Sequence, residues 1–209
     1  MVLRTALLQT DIEWGKPAAN LAAAGRLVRS LHDTDIAFLP EMFTTGFMAA
    51  DTSLAEPMEG PSVEWMRRTA AETGIALAGS LIIGAGGERP CNRFVFAFPD
   101  GRIGWYDKRH LFSFGGENAL YAPGCERVVL EYKGFRILPM VCYDLRFPVW
   151  SRGRADYDVA VYAASWPQAR IGAWDALLRA RAIENQCYVL GINRVGSDSS
   201  ALYNGHSVA

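Results

Sequence analysis

Apolar strand-like runs alternate with a segment of helical periodicity at the start of the chain. Residues 2–9 form an apolar run that ends at a polar residue, and residues 16–31 carry leucines at helical spacing. Residues 35–39 form a second apolar run, which Pro40 ends. A strand, a helix and a strand in this order predict a layered α/β arrangement, because a helix must bury one face against a sheet.

The same order recurs along the rest of the chain, together with two hairpins. Pro61 is predicted to open a helix that runs to about Thr73, since proline is favoured in a first helical turn. The other predicted elements are a strand at 75–83, hairpin strands at 92–98 and 103–107 and at 128–132 and 135–141, a strand at 159–164, a helix at 172–185 and a strand at 188–193. Pro139 removes a ladder donor, so we expect a bulge or an edge position there. No repeat or linker divides residues 1–209, which predicts one domain of mixed sheets covered by helices.

The charge balance narrows the classes of partner. The 209 residues include 21 basic and 22 acidic side chains, a formal net charge of −1. A nucleic-acid binder usually has a basic excess, so no nucleic-acid partner is expected. The apolar runs fall far short of the roughly 18–20 residues that span a membrane, and the first residues lack the layout of a signal peptide. We therefore expect a cytoplasmic protein with no membrane partner.

The cysteines and histidines are scattered. Cys91, Cys125, Cys142 and Cys187 form no C-x-x-C pair, and the three histidines lie far apart. This spacing predicts neither a disulfide framework nor a metal site, and no cofactor is expected.

A reactive side chain follows each of three apolar strands. Glu41 comes after the run at 36–40, Lys108 after 103–107 and Cys142 after 138–141. Ligands of α/β sheets tend to bind outside the carboxyl ends of the strands, so these three side chains are expected to converge. A carboxylate can accept the proton of a thiol, and an ammonium can stabilise the oxyanion that forms when the thiolate attacks a carbonyl. The trio therefore predicts acyl transfer through a thioester.

Each member of the trio also has a plainer interpretation when it is taken alone. Cys142 fits an inert buried thiol, since free cysteine is among the most buried residue types. Glu41 fits a loop acid or a neighbour of a helix cap, and Lys108 fits a surface charge pair with Arg109. Position at a strand end favours the catalytic interpretation only modestly.

Three local motifs resemble those of the nitrilase, or carbon–nitrogen hydrolase, superfamily. They are Leu-Pro-Glu-Met-Phe-Thr-Thr-Gly-Phe at 39–47, Tyr-Asp-Lys-Arg-His-Leu-Phe at 106–112 and Val-Cys-Tyr-Asp-Leu-Arg-Phe-Pro at 141–148. They occur in family order with family-like separations. The Thr-Thr-Gly-Phe continuation and the stretch from Pro148 to Arg194 are most similar to the omega-amidase branch.

The resemblance implies a fold, a reaction and roles for particular residues. The implied fold is a four-layer α–β–β–α sandwich, and the implied assembly is a homodimer or a higher homo-oligomer. The implied substrates are small amides, the terminal amides of 2-oxoglutaramate or 2-oxosuccinamate. By position in the motifs, Glu41 is the general base, Lys108 the oxyanion stabiliser and Cys142 the nucleophile. Glu117 matches the family's second acid and would orient Lys108, although without that match it fits a solvated loop residue. The backbone N–H of Tyr143 would help to hold the oxyanion.

The carboxylate of such a substrate requires a cation or several donors. Arg146 is a candidate, and an ion pair between Arg146 and Asp144 or another acid is an equally good interpretation. Phe43, Phe47 and Trp166 are candidates for shaping the pocket, while core packing is the more frequent role of such aromatics.

The chain ends where the family's sequence resembles the start of a further strand, so we expect it to lack the C-terminal strands. Two other functions stay open. One is a related hydrolase of another amide, an N-carbamoyl compound or a nitrile. The other is a shortened, inactive homologue that serves as a binding module.

Overall fold

Strand and helix alternate in the first half of the molecule, and its first sheet has five strands. The computed structural model describes residues 1–84, 89–153 and 155–209. The strands are β1 (Thr5–Leu7), β2 (Ile36–Phe38), β3 (Ala76–Ile83), β4 (Cys91–Ala97) and β5 (Ile103–Asp107), in the spatial order β1-β2-β3-β4-β5. The β1–β2 and β2–β3 pairs are parallel, whereas β4 and β5 extend the sheet as antiparallel strands.

A second sheet follows in the chain. It contains β6 (Leu130–Tyr132), β7 (Phe135–Val141), β8 (Val159–Ala164) and β9 (Tyr188–Asn193), again in sequential order. The β6–β7 pair is an antiparallel hairpin, and β7, β8 and β9 are parallel. A separate antiparallel hairpin is formed by β10 (Val195–Ser197) and β11 (Leu202–Asn204).

The helices that cover the outer faces of the two sheets are α1 (Pro17–Arg29) and α2 (Pro61–Thr73) on the first sheet and α5 (Ile171–Asn185) on the second. The short helices α3 (Glu117–Leu120) and α4 (Pro148–Ser151) lie in the connections that follow β5 and β7. As predicted, α2 has Pro61 in its first turn and ends before Gly74, which adopts a left-handed conformation with φ of 70°.

The alternation of side chains along the strands creates two cores. Ile36 and Phe38 of β2 point toward the second sheet and pack with its buried side chains. Ala37, between them, points the opposite way and packs with residues of α1 and α2, including Val28 and Met66. The α5 helix packs on the far side of the second sheet. The layers thus run helix, sheet, sheet, helix, and the α/β class predicted from the sequence is confirmed.

Pro139 lies within β7 without disrupting the sheet. The register pairs β6 only with residues up to Ile137, so β7 has β8 as its one ladder neighbour at Pro139. Pro139 therefore lies at a local edge of the sheet, as expected, because there is no second neighbouring strand that would need a hydrogen bond from the N–H that proline lacks. The β10–β11 hairpin was not predicted. In the described parts of the chain, every helix is too short or too polar to cross a membrane.

Candidate active site

Glu41 lies in the turn that follows β2, and its carboxylate is completely buried. One oxygen, Oε1, accepts hydrogen bonds from Lys108 Nζ at 2.8 Å and from Asn92 Nδ2 at 2.8 Å. The other, Oε2, accepts a bond from the backbone N–H of Ser165 at 3.0 Å. These donors satisfy and orient a carboxylate that would be costly to bury unpaired.

Lys108 directly follows β5 and is also completely buried. Its ammonium lies 2.8 Å from Glu41 Oε1 and 2.8 Å from Glu117 Oε2. Burial alone would lower the pKa of Lys108, but the negative charges of Glu117 and Glu41 outweigh it and raise that pKa above its ordinary value. Lys108 therefore carries a fixed positive charge in the site.

Glu117 begins the short α3 helix and faces the same ammonium. Its Oε1 accepts a bond from Asn92 Nδ2 at 2.9 Å, and its Oε2 accepts one from the backbone N–H of Phe112 at 2.6 Å. Glu117 is fully buried, so it is not the solvated loop acid of the plainer interpretation. The second acid is thus brought beside Lys108, where it can hold the ammonium in place.

Cys142 is the first residue after β7 and adopts an unusual backbone conformation. Its φ is 43°, in the left-handed region that non-glycine residues seldom occupy. Asp144 braces this turn, because its Oδ2 accepts bonds from Val141 N at 3.0 Å and from Tyr106 Oη at 2.8 Å. Its Oδ1 accepts a further bond from the backbone N–H of His110 at 2.9 Å. The surrounding network therefore fixes the sharp turn that presents the thiol.

The environment of the Cys142 thiol keeps it protonated at rest. Burial is the first cause that raises its pKa well above the ordinary value, and the negative charge of Glu41 adds to the shift. Lys108 acts in the opposite direction and does not outweigh them. The Glu41 carboxylate lies close enough to the thiol to shift its pKa. A thiol in this state needs a base to become a nucleophile, and the adjacent carboxylate can act as one.

The thiol opens into a cavity of about 780 Å³. The lining includes Cys142, Tyr143, Arg146 and Trp166, together with Phe47, which also lies under the Lys108 ammonium at 5.2 Å. Further lining side chains include Trp14, Phe112, Ser165, Gln168, Arg170, Ser200, Leu202 and Tyr203, of which the last three belong to the β10–β11 hairpin. Six of the nineteen lining residues are aromatic, and Arg146 and Arg170 are the charged ones.

Phe43 does not shape this cavity, contrary to expectation. Its side chain is buried on the helix side of the first sheet, where its ring lies 6.2 Å from that of Trp65. The chain reverses at Met42, whose φ is 45°, so Phe43 points into the core. Core packing, the other interpretation of the aromatics, is correct for this residue.

Arg146 is placed at the cavity, as expected of a residue that binds a carboxylate. Its guanidinium lies 4.8 Å from the centre of the Trp166 ring. Asp144, the suggested alternative partner, is instead bonded to Tyr106 and His110. Within the described ranges, Arg146 forms no ion pair, which leaves its charge available to the cavity.

Sequence reasoning missed three residues of the site. Asn92 bridges two carboxylates, Ser165 bonds Glu41, and Asp144 braces the cysteine turn. Each is a polar residue at an end of a buried strand or within three residues of one, and that signal could have indicated them. Among the residues that the structure describes, no group of three or more His, Cys, Asp or Glu side chains could hold a metal ion.

Comparisons with known proteins show the family to which this chain belongs. The model of the carbon-nitrogen hydrolase family matches residues 4–209. An omega-amidase from Yersinia enterocolitica is 48% identical over 99% of this chain and 80% of its own length. A 2-oxoglutaramate amidase from Bacillus subtilis is 34% identical over 96% of this chain and 80% of its own length.

A solved structure extends the similarity to three dimensions. A CN-hydrolase superfamily protein from Xanthomonas campestris, with an arsenic adduct in its active site, has a TM-score of 0.94 and 46% identity, covering 98% of this chain and 81% of its own. The shared fold, the near-complete family match and the cluster of Glu41, Lys108 and Cys142 lead to one conclusion: this chain belongs to the carbon-nitrogen hydrolase family and is an omega-amidase-like member of it.

Proposed function

We propose that this enzyme hydrolyses the terminal amide of small dicarboxylate monoamides such as 2-oxoglutaramate or 2-oxosuccinamate, and releases ammonia. The observation that carries the proposal is the buried cluster of Glu41, Lys108 and Glu117 beside Cys142, whose thiol faces a cavity that is also lined by Arg146. The names of the Yersinia and Bacillus relatives support the choice of substrate.

The first half-reaction forms a thioester. Glu41 accepts the thiol proton while the sulfur of Cys142 attacks the amide carbon. The oxyanion that develops is held by the Lys108 ammonium and by the backbone N–H of Tyr143. The protonated Glu41 then gives its proton to the amide nitrogen, the carbon–nitrogen bond breaks, and ammonia leaves.

The second half-reaction uses water. Glu41 accepts a proton from a water molecule as its oxygen attacks the thioester carbon, and the oxyanion is held again by Lys108 and Tyr143. The carbon–sulfur bond breaks, and the proton on Glu41 returns to the sulfur. The products are the carboxylic acid and the free Cys142 thiol, and the sum is one amide plus one water to one acid plus one ammonia.

Glu117 and the cavity residues serve the same chemistry. Glu117 holds the Lys108 ammonium at 2.8 Å, so Lys108 is positioned before a substrate arrives. Arg146 binds the distal carboxylate of the substrate, and Phe47 and Trp166 form apolar walls around the chain between its two ends. A charge-assisted contact of this kind contributes about 1.5–3 kcal/mol.

The proposal also covers the fold type, the oligomeric state and the cellular location of the enzyme. The helix–sheet–sheet–helix order supports a four-layer sandwich of the nitrilase type. The homodimer and the cytoplasmic location stay predictions of the resemblance and of the sequence. Sedimentation velocity of the purified protein measures the oligomeric state.

Ammonia release tests the proposed reaction. We expect turnover of 2-oxoglutaramate to exceed that of glutamine, an N-carbamoyl amino acid and a simple nitrile. The Cys142→Ala variant should lose turnover and keep its fold, while Cys125→Ala, which changes an exposed thiol, serves as the matched control. Preference for another of these compounds would place the enzyme with a related hydrolase. Substantial amidase activity in Cys142→Ala would refute the role of the cysteine.

A second experiment tests whether Arg146 binds the distal carboxylate of the substrate. Arg146→Met should raise the KM for 2-oxoglutaramate by about 10- to 100-fold, because about 1.5–3 kcal/mol of charge-assisted binding is lost. The same change should leave the hydrolysis of an uncharged amide nearly unaltered. Equal effects on both substrates would contradict the assignment of the carboxylate to Arg146.

A further inference from the structure

Asn92 is a buried polar residue that no step of the proposed reaction uses. It is the second residue of β4 and has no exposed surface. Its Nδ2 donates to Glu41 Oε1 at 2.8 Å and to Glu117 Oε1 at 2.9 Å. The two hydrogens of one amide nitrogen thus serve the two carboxylates of the site at once.

The sheet register sets this position. Because β4 and β5 are antiparallel neighbours, Asn92 lies beside the residue that follows β5, and its carbonyl accepts a bond from the backbone N–H of Lys108 at 2.9 Å. Backbone and side chain of Asn92 therefore contact three members of the cluster. A displacement of Asn92 would move the base, the second acid and the lysine relative to one another.

The orientation of the amide follows from its partners. If Nδ2 and Oδ1 of Asn92 were exchanged, the amide oxygen would face the oxygens of Glu41 and Glu117, and two hydrogen bonds would become repulsions. In the observed orientation, Oδ1 is buried and has no hydrogen-bond partner among the described residues. The Asn92 amide thus makes both hydrogen bonds that its nitrogen can donate, while its oxygen accepts none from the described residues.

The charges around Glu41 explain why donors are needed there. The titratable groups that face it from neighbouring elements are Lys108, Glu117, the Cys142 thiol and, farther out, the Tyr121 phenol. One ammonium is shared between two carboxylates in a site without exposed surface. Two like charges in such surroundings favour uptake of a proton by one of them, whereas hydrogen bonds donated to both favour the ionised forms.

We propose that Asn92 is a positioning residue that holds Glu41 and Glu117 with one amide nitrogen and so keeps the Glu41 carboxylate aimed at Cys142. The role rests on the proposed function, in which Glu41 is the base. Asn92 touches neither the substrate nor the thiol, and it acts only through the two carboxylates.

The test measures the alkylation of Cys142 by iodoacetamide as a function of pH, followed by peptide mass spectrometry. This reaction needs an ionised Glu41 to accept the thiol proton, and it needs no amide substrate. In Asn92→Ala, the acidic limb of the alkylation profile should move to higher pH by about one unit, since the pair of acids loses its shared donor. In Asn92→Asp, which keeps the shape and adds a third carboxylate, the limb should move further in the same direction.

Asn20 provides a matched control. It is also a buried asparagine whose Nδ2 donates to two acceptors, but these are the backbone carbonyls of Glu13 and Thr44. Asn20→Ala should lower the melting temperature and leave the pH profile of alkylation unchanged. A merely structural role of Asn92 would give this same result.

Kinetics on the amide substrate complete the test. Asn92→Ala should lower kcat by about 100-fold, a typical contribution of an oriented general base, with KM within about threefold of wild type. A folded Asn92→Ala enzyme with an unchanged alkylation profile would overturn the proposal. So would unfolding of both Asn92 variants, because Asn92 would then belong to the fold. If no amide is hydrolysed but the limb still moves, the proposed substrate fails and the role of Asn92 stands.

Discussion

Two completely buried cations, Lys108 and Arg194, have different surroundings. Lys108 lies 2.8 Å from each of two carboxylates, and those of Glu41 and Glu117 have no exposed surface. Arg194 contacts Asp198 and Asp11 at 3.4 Å, and the side chain of Asp11 is 69% exposed. The first cation is enclosed by short contacts with buried acids, whereas the second has long contacts and one acid open to water.

The remaining contacts of Arg194 indicate its purpose. It donates to the carbonyl of Ile12 at 2.9 Å and lies 4.4 Å from the centre of the Tyr203 ring. Its partner Asp198 accepts bonds from the backbone N–H groups of Ser200 and Ala201, which line the cavity. Arg194 thus ties a wall of the cavity to the start of the chain. A buried charge pair can stabilise the fold or position catalytic groups. Here the two roles differ in the burial of the acids: both acids beside Lys108 are fully buried, whereas one of the acids beside Arg194 is exposed to water.

Replacing Lys108 should give the largest effect. Lys108→Met keeps a similar volume but removes the cation, so the two acids lose their shared charge and the oxyanion loses a donor. We expect kcat/KM for amide hydrolysis to fall about 1000-fold or more, as when a donor to an oxyanion is removed. Steady-state kinetics of ammonia release measure the loss, and a fall of less than tenfold would contradict the role of Lys108.

Arg194→Met is the corresponding change in the other cluster. Asp198 would keep its burial and lose its cation, so unfolding free energy should fall by about 3 kcal/mol. The kcat at saturating substrate should stay within about threefold of wild type, while KM rises because the cavity wall loosens. Urea denaturation and kinetics on the same preparation separate the two effects. A loss of kcat as large as that of Lys108→Met would abolish the distinction between the clusters.

Tyr203→Phe sharpens the comparison with a smaller change. The hydroxyl of Tyr203 donates to Asp198 Oδ2 at 2.9 Å, and the ring lies under Arg194. Removing only the hydroxyl should cost about 1 kcal/mol of unfolding free energy, the usual contribution of one hydrogen bond. The stacked ring remains, so KM should change little. A loss as large as that of Arg194→Met would show that the hydroxyl, rather than the cation, holds the wall.

The smallest effect is a difference in pH dependence. Burial raises the pKa of the Cys142 thiol in the folded state, so its contribution to stability is complete below the unfolded value of about 8.5 and is lost as pH rises above it. For Asp198, burial acts to raise the pKa, but hydrogen bonds from Ser200 outweigh it and lower that pKa. The contribution of Asp198 to the stability of the fold is present above about pH 4 and is lost as pH falls.

Melting curves against pH check both signs. Cys142→Ser should flatten the alkaline decline in melting temperature, and Asp198→Asn should flatten the acidic decline. Each variant should leave the opposite limb unaltered. A reversal of the two limbs would contradict the assigned directions.

The comparison also marks what the sequence alone can predict. Glu41, Lys108 and Cys142 were proposed from local sequence, because each follows an apolar strand and lies in a motif that resembles the nitrilase superfamily. Asn92 was not found, because its importance depends on the register of β4 against β5, which local pattern does not determine. Phe43 was misplaced because the chain turns back at Met42, which sends the next side chain into the core.

The β10–β11 hairpin escaped prediction for a related reason. Its two strands have three residues each, and the polar loop between them resembles an ordinary connection. Its place at the cavity depends on Arg194 and Asp198, whose contacts reach Asp11, far away in the sequence. The periodicity of hydrophobic residues is a local pattern, so it does not predict ion pairs between residues that are far apart in the sequence.

The left-handed backbone at Cys142 restricts how the nucleophile itself can evolve. At a φ of 43°, a β-branched side chain is strongly disfavoured. Serine is compatible with this turn, but threonine, the other hydroxyl nucleophile of hydrolases, would strain it. Serine could therefore replace the cysteine at this position without a change in the backbone. Threonine could do so only if the turn that Asp144 stabilises changed its conformation as well.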